Sequence, residues 1–260
     1  MRLADKVIIV TGSTTGIGKA IARRCLEEGA RVLIHGLEPD LGDDTRAELD
    51  PGGERTALLI RDLTESAAPT EVVETAVSAF GRLDALVNNA GKVGTGTLQD
   101  TDEKKFDSFM ATNVRAPFFL IQAALPHLKK TRGNILNIGS VNAHAGEANL
   151  VPYSISKGAL MTLTRNLGDT LPREEGVRVN QINPGWILTE GEFQRYKDQG
   201  RADDWPSHLS TLFAPSRRLF RPEEVAAAAI YFLGDESGPV SGSVLDIEQH
   251  TFLGRNLLKF

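Results

Sequence analysis

The chain has 260 residues, of which 41% are hydrophobic and 24% charged, a composition typical of an ordinary folded globular protein. Its formal net charge is −5 and no basic block interrupts the sequence, which excludes nucleic acid as an expected partner. The single cysteine, Cys25, can form neither an internal disulfide nor a thiolate zinc cage, and it fits a small core residue.

The first six residues lead directly into the apolar run Val7–Val10, without the apolar stretch and cleavage signature of a secretory leader. No apolar run approaches the roughly 18 residues that a membrane-spanning helix needs. We therefore expect a cytoplasmic protein that does not interact with membranes.

Seven short apolar runs recur along the chain, and amphipathic helical patterns lie between them. The runs are too unbroken for a half-exposed antiparallel sheet and too short for helices, as is typical of strands buried on both faces. Alternating strands and helices predict a doubly wound parallel sheet in a single α/β domain spanning residues 1–260. The predicted strands are Val7–Val10, Val32–Ile34, Ala57–Ile60, Ala85–Val87, Ile135–Ile138, Val177–Ile182 and Val244–Ile247.

A glycine-rich turn follows the first strand and opens the first helix, with the sequence Thr11-Gly12-Ser13-Thr14-Thr15-Gly16-Ile17-Gly18. At such a turn, glycines let the backbone approach a pyrophosphate, and the helix N-terminus presents free N–H groups and a positive dipole end. No Gly-Lys-Ser/Thr is present, which argues against a phosphate-transferring P-loop. The turn therefore predicts a dinucleotide site.

Asn113 lies in a long helical pattern, and Pro117 follows four residues later. Because proline has no N–H, the carbonyl of Asn113 lacks its usual donor and must find another, such as water, with a bend expected nearby. The alternative is that Pro117 merely bends a packed helix and that Asn113 is polar filler.

Ser140 ends the fifth strand, and a helical stretch opens at Tyr153 with Lys157 four residues later on the same face. A free tyrosine has a pKa near 10, too high for a base at neutral pH. At about 5 Å and an effective dielectric near 20, an ammonium group stabilises the phenolate by roughly 3 kcal/mol. We therefore expect Lys157 to lower the pKa of Tyr153, which then serves as general base or general acid.

Residues 190–221 interrupt the alternation with aromatic side chains among many charges, before Pro222-Glu223-Glu224 opens another helix. Ligands of doubly wound folds bind at the carboxyl ends of the strands, so we interpret this insertion as a mobile substrate lid. The alternative is a packed helical hairpin.

Other candidate residues carry weaker signals. Trp186 and Trp205 are either apolar substrate walls or ordinary packing residues, and His144 either contacts substrate or is a solvated loop histidine. The histidines show no metal-ligand spacing, so we expect no catalytic metal.

Together these motifs resemble the classical short-chain dehydrogenase/reductase family over nearly the whole chain. Residues 11–18 match its Thr-Gly-x-x-x-Gly-x-Gly spacing, Asn88-Asn89-Ala90-Gly91 matches its Asn-Asn-Ala-Gly, and residues 184–189 resemble its Pro-Gly-x-Ile-x-Thr. The resemblance implies a Rossmann-fold oxidoreductase that interconverts a small-molecule secondary alcohol and a ketone with NAD or NADP. A nucleotide-sensing regulatory protein on the same fold is the alternative.

The resemblance also implies residue roles. Tyr153 is then the general acid/base, Lys157 bonds the nicotinamide ribose, Ser140 polarises the substrate oxygen, and the Asn113 carbonyl holds a water that passes protons from the lysine. The implied cofactor-binding residues are Gly12, Thr14, Gly16, Ile17, Gly18, Gly36, Leu37, Asp62, Leu63, Asn89, Ala90, Gly91, Tyr153, Lys157, Pro184, Gly185, Ile187 and Thr189.

The choice between NAD and NADP stays open. NAD-specific members of the family usually end the second strand with an acid, and Gly36 stands there. NADP-specific members usually place a cation at the next residue or within the glycine loop, where this chain has Leu37 and Thr15. Glu38 could reach a 2′-OH and Arg61 a 2′-phosphate, or either side chain could be a surface charge.

The end of the last strand departs from the family, because Glu248-Gln249-His250 replaces the expected Asp-Gly-Gly. In relatives this region lies near a subunit interface, and the resemblance implies a homotetramer or homodimer built partly from the helices starting near Asp102 and Tyr153. We expect the apolar tail to pack on the body or on a partner subunit. Its members are Phe252, Leu253, Leu257, Leu258 and Phe260.

Overall fold

A computed structural model describes residues 1–144, 146–212 and 214–250 of the chain. All seven predicted strands form, and they join in one parallel sheet of order β3-β2-β1-β4-β5-β6-β7. The predicted doubly wound α/β fold is therefore confirmed. The strands are β1 (Val7–Val10), β2 (Arg31–Gly36), β3 (Thr56–Ile60), β4 (Ala85–Asn88), β5 (Asn134–Ile138), β6 (Arg178–Pro184) and β7 (Val244–Ile247).

Helices connect successive strands and cover both faces of the sheet. Within the described ranges, no helix is both long and apolar enough to cross a membrane. The helices are α1 (Gly16–Glu27), α2 (Pro39–Leu49), α3 (Ala68–Phe80), α4 (Glu103–Met110), α5 (Ala116–Thr131), α6 (Val151–Glu174), α7 (Glu190–Asp198) and α8 (Pro222–Leu233).

The strand β1 shows why the apolar runs are continuous. Its alternate side chains point to opposite faces, where Ile8 and Val10 pack with α1 and α8, and Val7 and Ile9 pack with α3 and α5. All four are fully buried. Cys25 lies in the α1–α8 cluster and is also fully buried, which confirms its interpretation as a core residue.

The order of the strands indicates where a ligand would bind. From β1 the chain moves outward to β3, and then returns to pair β4 on the other side of β1. The strand order reverses there, and ligands of open α/β sheets bind in the crevice outside such a reversal. The glycine turn, the Asn89 segment, Ser140 and the Pro184-Gly185 segment all follow the carboxyl ends of central strands at this edge.

Candidate active site

The glycine turn after β1 is held by side chains of the neighbouring segment. The Asn89 Nδ2 donates to the carbonyl oxygens of Thr11 and Gly12, each at 2.9 Å. In return, the Thr11 hydroxyl accepts the backbone N–H groups of Asn89 and Ala90, each at 3.0 Å. The predicted binding residues Gly12, Asn89 and Ala90 are thereby brought together.

The glycines of this turn satisfy steric needs that no other residue meets. Gly12 and Gly16 have φ angles of +60° and +53°, in the left-handed region. A Cβ on Gly18 would overlap the carbonyl oxygen of Gly12 and the side-chain amide of Asn89. Glycine at these positions lets the turn fold closely against the segment after β4. We refer to this turn at the N-terminus of α1 as the dinucleotide cradle, because the free N–H groups of a helix start suit a pyrophosphate.

His35 supports the same turn, although its sequence signal predicted no role. Its Nδ1 accepts the Gly12 N–H at 3.2 Å, and its Nε2 lies 2.9 Å from the carbonyl oxygen of Arg61. Burial lowers the pKa of His35, which keeps the ring neutral and able to accept one bond and donate the other. The sequence signal that could have indicated this role is a single histidine within the apolar run of β2.

Tyr153, Lys157 and Ser140 meet at the carboxyl edge of the sheet. Lys157 Nζ lies 5.8 Å from the centre of the Tyr153 ring and donates to the Ile138 carbonyl oxygen at 2.9 Å. The side chains of Ser140 and Tyr153 share a hydrogen bond. A Cβ on Gly91 would lie 3.4 Å from Lys157 Nζ, so the segment after β4 contacts the same cluster.

Burial governs both titratable groups of this cluster. It lowers the pKa of the Lys157 ammonium to about 8 and raises the pKa of the Tyr153 phenol. The hydrogen bond with Ser140 lowers the pKa of Tyr153, but the negative charges of Glu192 and Glu147 add to the rise. The net shift of the pKa of Tyr153 is therefore upward, opposite to the direction expected from the nearby lysine, because burial of the phenol is its largest cause.

Asn113 lies within a π-helical turn, Ala111–Arg115, that joins α4 to α5. Pro117 is the second residue of α5. Its buried side chain accepts the Lys92 N–H at 2.7 Å, and donates to the Lys92 carbonyl and to the Ser156 hydroxyl, both at 2.9 Å. The side chain therefore ties α6 to the segment after β4. These bonds argue against the interpretation of Asn113 as polar filler. They involve its side chain and not its backbone carbonyl.

The remaining predicted cofactor positions lie at or after the carboxyl ends of strands. Asp62 caps its own turn by accepting the N–H and hydroxyl of Thr64, each at 2.8 Å, whereas the Leu63 side chain is buried in the α3–α5 cluster. Ile187 pairs with Phe220 and is buried. The other predicted positions lie in the glycine turn or at the start of α1 (Thr14, Ile17), at the end of β2 and just after it (Gly36, Leu37), and at the end of β6 and just after it (Pro184, Gly185).

Thr189 connects the Pro-Gly segment to the glycine turn. Its methyl group lies 3.4 Å from the position that a Cβ on Gly16 would occupy. Its hydroxyl accepts the Glu192 N–H at 3.0 Å and caps α7. The helix that opens the predicted lid therefore starts next to the dinucleotide cradle.

His144 takes part in a polar cluster beside Ser140. Its Nε2 lies 2.9 Å from an Asp246 carboxylate oxygen, which also accepts the Asn183 side-chain amide at 3.0 Å. The Asn183 Oδ1 accepts the Ser140 N–H at 3.1 Å. His144 is thus paired with a carboxylate rather than solvated, and the pair is linked through Asn183 to the backbone of Ser140.

The lid segment is organised around Trp205, which is buried. Its ring lies 4.5 Å from the Tyr196 ring and 5.8 Å from the Trp186 ring, centre to centre. The Trp186 Nε1 donates to Glu192 at 2.7 Å, and Glu192 also forms a two-point ion pair with Arg195. The described part of residues 190–221 has one α-helix, α7, and a 3₁₀ turn, so it is not a hairpin of two helices.

The altered turn after β7 contacts the base of this segment. The Gln249 side chain accepts the N–H of Ser216 at 3.0 Å and its hydroxyl at 2.6 Å, and donates to the Arg218 carbonyl at 2.6 Å. The predicted packing of the apolar tail falls on residues 251–260, outside the described residues. Among the residues that the structure describes, no group of three histidine, cysteine or acidic side chains could hold a metal ion.

Comparisons with known proteins agree with this geometry. A family model described as short chain dehydrogenase matches residues 6–200. The chain is 35% identical over 249 residues to an uncharacterised oxidoreductase of Thermotoga maritima, covering 95% of this chain and 98% of that protein. It is 36% identical over 257 residues to an L-fucose dehydrogenase of Bos taurus, covering 97% and 92%.

A solved structure shares the fold. The crystal structure of L-sorbose reductase from Gluconobacter frateurii, complexed with NADPH and L-sorbose, superposes with a TM-score of 0.91 at 26% sequence identity. The match covers 98% of this chain and 100% of that chain. Sequence and fold therefore agree along nearly the full length.

Proposed function

The chain belongs to the short-chain dehydrogenase/reductase family, and we propose that Tyr153, Lys157, Ser140 and Asn113 carry its reaction. The chain is an NAD(P)-dependent oxidoreductase that interconverts a secondary alcohol and a ketone. Nothing in the family match or the relatives favours the nucleotide-sensing alternative. The single observation that supports the proposed residues is the meeting of a buried phenol, a buried ammonium and a serine hydroxyl beside the dinucleotide cradle.

The raised pKa of Tyr153 defines its starting state. Below that pKa the phenol carries its proton, so in ketone reduction Tyr153 gives this proton to the carbonyl oxygen while the Ser140 hydroxyl donates a hydrogen bond to the same oxygen. In alcohol oxidation the proton moves in the opposite direction, onto Tyr153. The nicotinamide supplies or accepts the hydride when it is bound.

Lys157 has two proposed roles. Its ammonium, held by the Ile138 carbonyl, binds the nicotinamide ribose and supports negative charge on the tyrosine oxygen. A proton lost from Lys157 passes to a water on the Asn113 carbonyl, which Pro117 deprives of its usual helical donor. The π-helical turn at Asn113 supports this role, because such turns frequently occur at functional sites.

The binding residues fit a dinucleotide. Gly12, Gly16 and Gly18 allow a turn that a Cβ would strain or block by contact with neighbouring residues, and this turn lies at the N-terminus of a helix of 12 residues, where a pyrophosphate is favoured. Asn89, Thr189 and Lys157 complete the proposed binding surface along the crevice.

We also propose that residues 190–221 of the single domain 1–260 act as a substrate lid. The segment begins at Thr189 beside the cradle, and the electrostatic effect of Glu192 on Tyr153 supports its position over the site. The aromatic cluster around Trp205 gives this lid an internal core of its own.

A homotetrameric or homodimeric assembly and a cytoplasmic location complete the proposal. Apolar side chains exposed on α4, α5 and α6 support a subunit contact on that face. They are Phe106, Phe118, Phe119 and Ile155. The lone, buried Cys25 requires no oxidising compartment.

The assigned acid/base is tested with a panel of sugars, hydroxysteroids, hydroxyacyl thioesters and the matching ketones, followed by nicotinamide absorbance. Tyr153→Phe is expected to lower kcat by about 10²–10⁴-fold on every active substrate while cofactor affinity stays close to that of the wild type. Tyr231→Phe, which changes an exposed tyrosine on α8, is the matched control and should retain full activity. Equal activity of wild type and Tyr153→Phe would show that the assignment is wrong.

A further inference from the structure

The carboxyl end of β2 distinguishes the two cofactors, because the adenosine side of a dinucleotide lies at this edge of the fold. NAD carries a 2′-OH there and NADP a phosphate. The residues in question are Gly36, Leu37 and Glu38, which lead into α2. Their role in choosing the cofactor depends on the dinucleotide site proposed above.

The position of the usual acid is closed in this chain. A Cβ on Gly36 would lie 2.5 Å from the Thr14 Cγ2 and 2.8 Å from its hydroxyl oxygen. Thr14 is buried, and its carbonyl accepts the Thr45 hydroxyl at 2.8 Å, so it is fixed against α2. An aspartate at position 36 has no room, and recognition of a 2′-OH requires an acid from elsewhere.

The cations that flank this position are committed to carboxylates. Arg61, at the end of β3, forms ion pairs with Glu65 at 3.1 Å and with Glu71 at 2.7 Å. Lys19, in the first turn of α1, pairs with Glu48 at 2.7 Å. Arg61 therefore does not meet the expectation of a cation available for a 2′-phosphate, because its guanidinium is already paired with Glu65 and with Glu71 of α3.

The segment that follows Gly36 is acidic. Residues 37–44 contain four carboxylates and no lysine or arginine. Arg46, the one cation of α2, lies in its last turn, about 10 Å along the helix from its start. Leu37, where an NADP-specific relative would place its cation, is apolar and 57% exposed. A phosphate dianion entering here meets like charges that no neighbouring cation offsets.

Glu38 is placed to replace the missing acid. It is exposed, has extended backbone angles and immediately precedes α2. Within the described part of the chain it forms no ion pair, so its carboxylate is not committed elsewhere. A carboxylate accepts hydrogen bonds from a ribose hydroxyl, and repels a phosphate at the same place.

We propose that this chain prefers NAD(H) to NADP(H), and that Glu38 determines this preference by accepting the adenosine 2′-OH. The crowding of Gly36 by Thr14 and the pairing of Arg61 carry the inference, and the acidic segment strengthens it.

The test measures binding by titration calorimetry on the full chain, with 5′-AMP and 2′,5′-ADP as probes that differ only in the 2′-phosphate. We expect 5′-AMP to bind about tenfold or more tightly than 2′,5′-ADP. Glu38→Gln should reduce that ratio several-fold, and Glu38→Arg should reverse it. Asp44→Asn removes an equal charge from the exposed face of α2 and should leave the ratio within about twofold.

The outcomes separate the two proposals. Equal binding of both probes, or tighter binding of 2′,5′-ADP, overturns the preference while the nucleotide site stands. An equal effect of Glu38→Gln and Asp44→Asn overturns the role of Glu38, because the preference then arises from the total negative charge of residues 37–44. Failure of both probes, and of NADH and NADPH, to bind overturns the proposed nucleotide site itself. Circular dichroism of each variant excludes unfolding as the cause.

Discussion

The glycine turn and the lid segment border the same crevice, yet they are held by different kinds of contact. The turn is fixed by bonds between side chains and backbone: Asn89 and His35 bind its carbonyl and N–H groups, and its own Thr11 hydroxyl binds the N–H of Ala90. The lid is held by ring stacking around Trp205 and by ion pairs between side chains. The comparison teaches that the proposed cofactor site depends on the shape of the backbone, whereas the proposed substrate lid depends on contacts between side chains.

This comparison is sharpened most by substituting the same residue type in each region. Gly18→Ala should lower cofactor affinity by about 100-fold or more and destabilise the fold by about 2–3 kcal/mol, because its Cβ overlaps Gly12 and Asn89. Gly191→Ala, in the first turn of α7, meets nothing within 4 Å and should stabilise that helix by up to about 1 kcal/mol. Titration calorimetry measures the cofactor affinity of both variants, and thermal unfolding measures their stability. Equal effects of the two substitutions would contradict the difference between the turn and the lid segment.

Lys157→Met tests the proposed catalytic cluster, whose lysine is held by a backbone carbonyl, as the glycine turn is held by bonds to backbone. We expect kcat to fall by about 10²-fold or more, since the ammonium that supports the tyrosine oxygen is lost. Stability should rise at neutral pH, because burial of the charged lysine is unfavourable by up to about 3 kcal/mol when its pKa falls from 10.5 to about 8.

The sign of the pH dependence follows from that lowered pKa. Below about pH 8 the lysine is charged in both folded and unfolded states, and the stability difference between the variant and wild type is constant. As the pH rises from about 8 towards 10.5, folded wild type loses its proton first, gains stability and closes the gap. Denaturant unfolding at several pH values measures this, and a variant that is less stable at every pH would contradict it.

Glu192→Gln tests the lid side and should have the smallest effect. Losing the ion pair with Arg195 should raise the substrate KM by about threefold to tenfold, with cofactor affinity unchanged. Removing a negative charge that raises the pKa of Tyr153 should also shift the pH profile of alcohol oxidation to lower pH. Glu190→Gln, an exposed charge on the same helix, is the control, and an identical profile shift there would refute a specific role for Glu192.

Local sequence patterns predicted most of the fold. The strands contain short apolar runs because helices cover both faces of the sheet, and the glycine spacing and the Tyr153–Lys157 interval depend only on a turn and on a helix. The start of α8 at Pro222 could be predicted for the same reason. These features are local, so the sequence alone carries enough information for them.

Features that need distant segments were missed. The pairing of His144 with Asp246 joins residues 102 positions apart, and Gln249 reaches Ser216 across 33 positions. The direction of the pKa shift of Tyr153 was wrong because it depends on burial by the whole fold, whereas the sequence showed only the nearby lysine. The role of His35 required knowing that Gly12 and Arg61 lie on either side of it.

The π-helical turn at Ala111–Arg115 has a consequence for how α4 and α5 are phased. A wider turn holds one residue more than a regular one, which rotates all later side chains by about 100° around the axis without breaking the rod. Deleting a single residue there would restore the regular ladder and turn Phe118 and Phe119 away from their present outward direction. The turn that holds Asn113 thus also sets which side of α5 faces outward.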